Sequence, residues 1–212
     1  MRYPQTTVPY ETHMKLLLVI TGAIFALAGC AGSPYAESLK FDRLRNFSGP
    51  EYGYVVSSVG KDKSASIFDA TEVLFRLRGT NDHGSFTYAP KAFFGANGAS
   101  PRDIASADVE ATTVVKRLPP GQYDVYVAKG IWNAGGTHIF YRPLNPPLSF
   151  TVALGKVTYA GRYVIGQQGY GPASSATLTI SDEHTVDLAR AKSRIEPLNI
   201  DEATFVSVPA SY

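Results

Sequence analysis

The sequence predicts a mainly β protein: an antiparallel β-sandwich with one helix near its C-terminal end and an apolar signal-peptide helix before it. Strand-favouring aromatic residues are abundant, with 13 Tyr and 11 Phe among 212 residues. Turn-forming residues are also frequent, with 19 Gly and 14 Pro. Between these turns, short runs alternate apolar and polar residues, as in sheets with one buried face.

The first three predicted strands show this alternation. Residues 52–59 are rich in β-branched and aromatic side chains. In residues 72–78, Val73, Phe75 and Leu77 share one face. Residues 85–88 are a further short strand. We therefore expect one face of this region to be buried.

Residues 111–129 contain two β-rich runs around Pro119-Pro120-Gly121. Proline presets φ for a turn and glycine accepts positive φ, so the chain should reverse there. After the turn, Tyr123, Val125 and Val127 are predicted to share one face.

A second pair of runs lies further along the chain. Residues 148–154 lead through Gly155-Lys156 into residues 157–165. Gly161 inside the second run indicates a bulge or a close backbone approach. Residues 176–180 are predicted to be the last strand.

The sequence predicts one helix in the domain, at about residues 182–196. Ser181 is the expected N-cap, and the two acidic residues after it suit the positive end of the helix dipole. Leu188 and Ile195 can share an inward face, and Pro197 should end the helix.

Charge and cysteine content exclude several classes of function. The chain has 20 Lys and Arg against 18 Asp and Glu, and its longest basic cluster is Lys116-Arg117, so we expect no nucleic-acid partner. The single cysteine, Cys30, cannot form an intramolecular disulfide and rules out a cysteine-rich metal site.

The N-terminal region has the features of an export signal. Residues 16–29 form an uncharged apolar run after Lys15, shorter than the roughly 20 residues that a membrane-spanning helix needs. Met14 stands directly before Lys15, so we expect translation to start there. Residues 1–13 would then be a mis-assigned upstream extension, with a genuine extended leader as the alternative.

The run ends in Leu27-Ala28-Gly29-Cys30, which resembles the lipobox of bacterial lipoproteins. The resemblance implies cleavage between Gly29 and Cys30, a diacylglycerol on the Cys30 thiol and an N-acyl lipid, with no other cofactor. Ala31 stands where an aspartate would retain an enterobacterial lipoprotein at the inner membrane. The implied location is the cell envelope, at the periplasmic face of the outer membrane. A plain cleaved signal and a buried core thiol are the alternatives.

These features divide the chain into segments. Residues 14–29 are the signal peptide, residues 30–46 the lipidated cysteine and its tether, and residues 47–198 the sandwich domain. Residues 199–212 are a loosely held tail, although residues 205–208 could add an edge strand.

The Leu-Pro-Pro-Gly-x-Tyr turn at residues 118–123 resembles the prealbumin-like and carboxypeptidase-regulatory-like β-sandwich modules, a prealbumin/Ig-like arrangement. The segment from Phe150 to Tyr159 resembles parts of small uncharacterised bacterial lipoproteins. The resemblance covers residues 110–165 and implies a fold, because its motifs specify turns and packing. It transfers no functional residue.

Trp132 is the leading candidate for a binding residue, together with the nearby Tyr126 and Tyr141. It lies in the glycine-rich stretch of residues 130–136, and an aromatic side chain between flexible glycines can contact a ligand or partner. The alternative is that Trp132 plugs one end of the sandwich. Three further histidines lack metal-ligand spacing, so we expect no metal site: His83, His138 and His184.

Three functions remain at this stage. The first is a membrane-anchored envelope lipoprotein acting as a non-enzymatic structural or interaction module, with an envelope protein as its candidate partner. The second is a ligand-binding lipoprotein that recognises a glycan or peptide through the Trp132 loop. The third is an envelope enzyme of unknown class, for which no Gly-x-Ser-x-Gly elbow or phosphate-binding loop is present.

Overall fold

The computed structural model describes residues 43–44, 47–65, 67–91, 99–195 and 199–205, all within one compact unit spanning residues 41–212. The described residues form ten strands and one α-helix. In chain order they are β1 (Gly53–Asp62), β2 (Ala70–Leu77), β3 (His83–Tyr88), β4 (Ile104–Ala105), β5 (Val109–Leu118), β6 (Gly121–Asn133), β7 (Thr137–Val152), β8 (Val157–Gln168), β9 (Ser175–Ser181), α1 (His184–Arg194) and β10 (Thr204–Phe205).

The strands form two sheets. One has four antiparallel strands in the order β3-β2-β6-β7. The other has six strands in the order β10-β8-β1-β5-β4, with β9 also paired to β8. Strand β8 runs parallel to both β1 and β10, so this sheet is mixed and the expectation of a purely antiparallel sandwich is corrected.

Both predicted reversals occur, but each connects one sheet to the other. The turn at Pro119-Pro120-Gly121 leads from β5 in the six-stranded sheet to β6 in the four-stranded sheet. The turn at Gly155, where φ is +69°, leads from β7 back to β8. Turn residues determine where the chain changes direction, whereas the pairing partner depends on packing elsewhere.

The core lies between the two sheets and is rich in aromatic side chains. Val73 and Phe75 of β2 are fully buried in it, and Leu77 packs against it, as the alternation predicts. The rings of Tyr123 and Phe150 stack with their centroids 5.0 Å apart. Aromatic pairs in this geometry add to the stabilisation from buried area.

The predicted alternation in β6 is interrupted by a bulge. Its pairing with β2 shifts register between Val125 and Val127, so that Tyr126 is the extra residue. Tyr123 and Val125 join the core, but Val127 pairs with Leu74 on the outward face. The expectation that Tyr123, Val125 and Val127 share one face is therefore wrong.

Gly161 forms the bulge that the sequence predicts. Its φ of +99° suits glycine, and the register between β1 and β8 shifts beside it. The Ser57 hydroxyl donates a hydrogen bond of 2.9 Å to the Gly161 carbonyl and fixes this irregularity.

Helix α1 covers the outward face of the six-stranded sheet. Its Leu188 and Ala191 pack with Val56 and Tyr159 in a second apolar cluster, which Ile195 also contacts.

The helix is shorter than predicted. It begins after Glu183, whereas Ser181, the expected N-cap, is the last residue of β9. The Asp182 carboxylate still accepts a hydrogen bond from the His184 N–H at 3.2 Å. Ile195 is the C-cap, and Pro197 lies outside the described residues.

Two expectations about the ends of the domain also change. Leu44, assigned above to the tether, is buried in the core and donates its N–H to the His83 carbonyl at 3.0 Å. Ile200 and Ala203, assigned to the tail, pack against the second apolar cluster before β10. In the described part of the chain, no helix is long and apolar enough to cross a membrane.

Candidate functional site

Gly29 and Cys30 lie outside the described residues, so cleavage and lipidation at these positions remain predictions. The other predicted site residues, Trp132, Tyr126 and Tyr141, all lie on the long β6–β7 hairpin.

Trp132 belongs to a strand and not to a flexible loop. Strand β6 continues through Asn133, so the connection to β7 is confined to residues 134–136. The Asn133 N–H donates to the Asp69 carboxylate at 2.8 Å, which holds the end of the strand. A Cβ on Gly130 would lie 2.5 Å from the Phe68 ring. That glycine is therefore required for close packing, and the interpretation of Trp132 as a residue between flexible glycines in a loop is corrected.

The structure separates the predicted binding residues onto two faces. Trp132 pairs directly with His138, and their ring centroids are 5.1 Å apart. Tyr141 pairs with Lys129 of β6. Lys129 and Trp132 are an odd number of residues apart, so the Tyr141 side chain lies on the opposite, outward face from Trp132. Tyr126 is on this outward face too, beside Arg76 and therefore away from Trp132.

Tyr126 belongs to a group of polar and charged side chains that the sequence did not identify as a site. We call Arg76, Arg78, His83, Asp124 and Tyr126 the outer polar cluster. These residues come from β2, β3, β6 and the turn after β2. Because Arg76 pairs with both His83 and Asp124, the three strands lie side by side at this point. No sequence motif signals this arrangement, because it depends on the register of three strands.

Asp124 organises one half of the outer polar cluster. Arg78 donates to its carboxylate twice, with Nη2 to Oδ1 at 2.6 Å and Nε to Oδ2 at 3.4 Å. The Ser149 hydroxyl donates to the same Oδ1 at 2.9 Å. The hydrogen bonds from Arg78 lower the pKa of Asp124 despite its burial. Asp124 is thus an ionised acceptor already engaged by fixed donors.

Tyr126 and His83 form the other half. The His83 Nδ1 and the Tyr126 hydroxyl are 3.1 Å apart, and the Arg76 guanidinium lies 5.5 Å from the centre of the Tyr126 ring. Burial, followed by the charge of Arg76, lowers the pKa of His83. The imidazole is therefore neutral at pH 7, and this arrangement orients the Tyr126 ring at the surface.

A buried ion pair lies on the same outward face. The Lys129 ammonium and the Glu72 carboxylate are 2.6 Å apart, on directly opposed positions of β6 and β2. The Thr87 hydroxyl donates to the second Glu72 oxygen at 3.4 Å. These contacts satisfy both charges within the sheet, which makes the pair a structural feature of the fold.

A groove of about 250 Å³ lies on the six-stranded sheet, beside the C-terminal end of α1. Its lining combines apolar and basic side chains: Tyr54, Val115, Lys116, Arg117 and Ile195. The Arg117 guanidinium sits 5.1 Å from the centre of the Tyr52 ring, which packs edge-on to Tyr54 at 5.3 Å. The basic pair Lys116-Arg117 was the only sequence signal for this groove.

Among the residues that the structure describes, no three His, Cys, Asp or Glu side chains converge as metal ligands would.

Comparisons with known proteins identify no family for this chain. No protein-family profile and no curated protein matches it. One similar solved structure is a leucine-rich repeat protein from Bacteroides thetaiotaomicron VPI-5482, with 17% sequence identity and a TM-score of 0.34. The match covers 56% of this chain and 14% of that chain. A likeness of this size carries no conclusion about fold or function.

Proposed function

We propose that this chain is a lipid-anchored protein of the cell envelope whose β-sandwich serves as a non-enzymatic interaction module. The observation that carries the proposal is the Leu27-Ala28-Gly29-Cys30 motif at the end of an apolar run, holding the only cysteine of the chain. Stable anchoring needs more than one acyl chain, at ~0.8 kcal/mol per buried CH₂. The diacylglycerol and N-acyl lipid of a lipoprotein meet that requirement.

The way the chain enters the domain supports a tethered module. Leu44 is fixed to the start of β3, and β1 begins at Gly53, so the chain reaches the sandwich at the end where these two strands start. Residues 31–42 can span at most about 40 Å when fully extended. An anchored domain would therefore stay close to the membrane, where it meets envelope components.

The engagement of the polar side chains also supports a module and not a catalyst. Asp187, Asp124 and Glu72 each bind an Arg or Lys side chain from a neighbouring element. Such pairs hold strands and helix together and leave these carboxylates without a free role in proton transfer. We also propose, from the turn at residues 118–123 and the two facing sheets, that the module belongs to the prealbumin-like sandwiches.

The anchor is tested by metabolic labelling with an alkynyl fatty acid. We expect the native chain to be labelled and cut before Cys30, and Cys30→Ser to be neither labelled nor processed in this way. A matched control combines Cys30→Ser with Ser33→Cys, which keeps one thiol but moves it out of the motif. Labelling of either variant would contradict the proposal.

Trp132 supports a second candidate function, recognition of a glycan or peptide. The half-buried indole sits beside the exposed His138 at the tip of a hydrogen-bonded hairpin, which is a fixed aromatic surface. Because Trp132 is the only tryptophan, its fluorescence reports directly on contact.

Titration with soluble peptidoglycan fragments tests this second candidate. We expect the emission to shift and Trp132→Ala to lose binding measured by calorimetry. Tyr141→Ala, on the opposite face, should retain binding. Equal binding by the two variants would remove Trp132 as the contact.

A further inference from the structure

The entry of the chain into the sandwich and Trp132 lie at opposite ends of the four-stranded sheet. Leu44 donates its N–H to the carbonyl of His83 at the start of β3. Because β3 and β6 both pair with β2, His83 lies level with Asp124 of β6. Trp132 is eight residues beyond Asp124 on the same strand, roughly 25 Å away in an extended chain. A domain anchored through its N-terminal side therefore carries Trp132 at the end away from the tether.

Residues 132–138 form the hairpin tip, which presents two aromatic rings to solvent. Every residue from Asn133 to His138 is exposed, and Trp132 is half-buried. The rings of Trp132 and His138 belong to directly paired residues, with their centroids 5.1 Å apart and their planes tilted by 33°. The pair is therefore an open aromatic surface at the end of the domain.

Strand β7 carries a cation on the same face as these rings. Arg142 pairs with the core residue Ala128, an even number of residues before Trp132, so its side chain points to the face that bears Trp132. It lies four residues beyond His138, roughly 13 Å along the strand. Phe140 lies between the two and packs on the core. This face thus has aromatic rings at the tip and a guanidinium further along.

The Arg142 side chain is exposed and holds no part of the fold. Among the residues that the structure describes, no hydrogen bond, ion pair or ring contact engages its guanidinium. Arg78 and Arg162, in contrast, each bind an aspartate from a neighbouring element. The planar fork of a guanidinium matches a carboxylate, so Arg142 can bind one from a ligand.

The charge of this part of the hairpin favours an anionic ligand. Residues 130–141 contain no Asp, Glu, Lys or Arg. The carboxylate that reaches the end of β6 is that of Asp69, and it is engaged by the Asn133 N–H at 2.8 Å. A ligand carboxylate at Arg142 would therefore meet no opposing charge from these twelve residues.

Sugar rings suit the aromatic part of the surface. The C–H face of a sugar is weakly positive, so it packs against the negative face of an indole ring. A peptide side chain that anchors an interface needs a pocket that encloses it, whereas the open tip covers a bound ring from one side only. The spacing between His138 and Arg142 exceeds the width of one sugar, so a ligand that reaches both is an oligosaccharide.

We propose that the face bearing Trp132, His138 and Arg142 binds a carboxylated oligosaccharide. One sugar stacks on the two rings of the hairpin tip, and the carboxylate of another accepts hydrogen bonds from the Arg142 guanidinium. This inference rests on the proposed role as an anchored interaction module. It deepens the second candidate function by naming the charge of the ligand and a further contact residue.

The test uses the full-length lipidated protein in detergent micelles, with hexagalacturonate as the probe and the neutral cellohexaose as its control. Binding is followed by Trp132 emission and by calorimetry. We expect hexagalacturonate to bind, and to bind more weakly at high salt because its carboxylates are screened. Cellohexaose should bind about tenfold more weakly or less, since it offers no carboxylate to Arg142.

The variant Arg142→Gln removes the guanidinium from the exposed face. We expect it to weaken hexagalacturonate binding about tenfold or more, as the loss of hydrogen bonds to a charged group implies, and to leave cellohexaose binding unchanged. The matched control Arg76→Gln removes a half-exposed arginine from the outward face and should bind like the native chain. Circular dichroism checks that both variants fold.

Three outcomes would each overturn the proposal: equal binding by Arg142→Gln and Arg76→Gln, equal binding of the two oligosaccharides, or no binding of hexagalacturonate. Fatty-acid labelling of Cys30 is independent of these results, so intact labelling with failed sugar binding would reject this inference and keep the anchored protein. Binding of peptidoglycan fragments that depends on Trp132 but not on Arg142 would keep the second candidate function and reject this inference.

Discussion

The two sheets each carry an Arg–Asp network on their outward face, and the networks differ in burial. On the six-stranded sheet, Arg162 donates to Asp187 through Nη2 at 2.6 Å, and their side chains are 14% and 0% exposed. On the four-stranded sheet, Arg78 makes the same contact to Asp124 at 2.6 Å, but its side chain is 50% exposed. The hydrogen-bond chemistry is alike, and helix α1 covers only the first pair.

This difference separates a contact that fixes the fold from one that shapes a surface. Asp187 lies on α1 and also accepts a hydrogen bond of 2.9 Å from the Tyr159 hydroxyl, so it joins helix to sheet. Burial, followed by the charge of Asp187, raises the pKa of Tyr159 far above its usual range. Asp124 joins β6 to Arg78 after β2 and does not hold helix α1, and solvent screens its half-exposed partner Arg78.

The largest expected effect is from Asp187→Ala. Removing Asp187 leaves the buried Arg162 with only the Glu183 carboxylate at 3.9 Å, and it removes the group that accepts the Tyr159 hydroxyl proton. We expect the free energy of unfolding, measured by urea titration, to fall by about 3–5 kcal/mol. Arg190→Ala, which removes a more exposed donor 3.4 Å from Asp187, is the control and should cost about 1 kcal/mol or less. Equal losses in the two variants would contradict the importance of burial.

A smaller effect is expected from Asp124→Ala. Arg78 would remain hydrated at the surface, so the loss should be about 1 kcal/mol in the same titration. The loss should shrink in high salt because exposed charges are screened. Gln122→Ala, which removes another Arg78 contact but no charge, should show no such salt dependence. A loss as large as that of Asp187→Ala would mean that the two faces do not differ.

The smallest effect concerns pH and His83. Its pKa is lowered in the folded chain by burial and then by Arg76, whereas the unfolded value is about 6.5. The unfolded chain therefore binds more protons as pH falls below about 6.5, and stability should decrease in that range. His83→Gln should reduce this decrease in the thermal midpoint between about pH 7.5 and 5. A decrease unchanged by His83→Gln would show that another group is responsible.

Sequence patterns predicted most strands and the bulge at Gly161, because both depend on short-range rules of alternation and backbone conformation. They missed the bulge at Tyr126, since no glycine or proline signals it. They also placed Trp132 in a loop, because Gly130 suggests flexibility until the Phe68 ring above it is seen. The outer polar cluster had no sequence signal, and Lys116-Arg117 was the only signal for the groove beside α1.

The sequence by itself determined the mainly β class, the positions of the turns and helix α1, and the motif at Cys30 from which anchoring is proposed. Only the tertiary structure decided which strands pair, that β1 and β8 are parallel, and which charges are buried. The physical reason is the distance along the chain between the residues that determine each feature. Turns and alternation depend on neighbouring residues, whereas pairing and burial depend on residues such as Arg162 and Asp187, which lie far apart in the chain and meet only when helix and sheet pack.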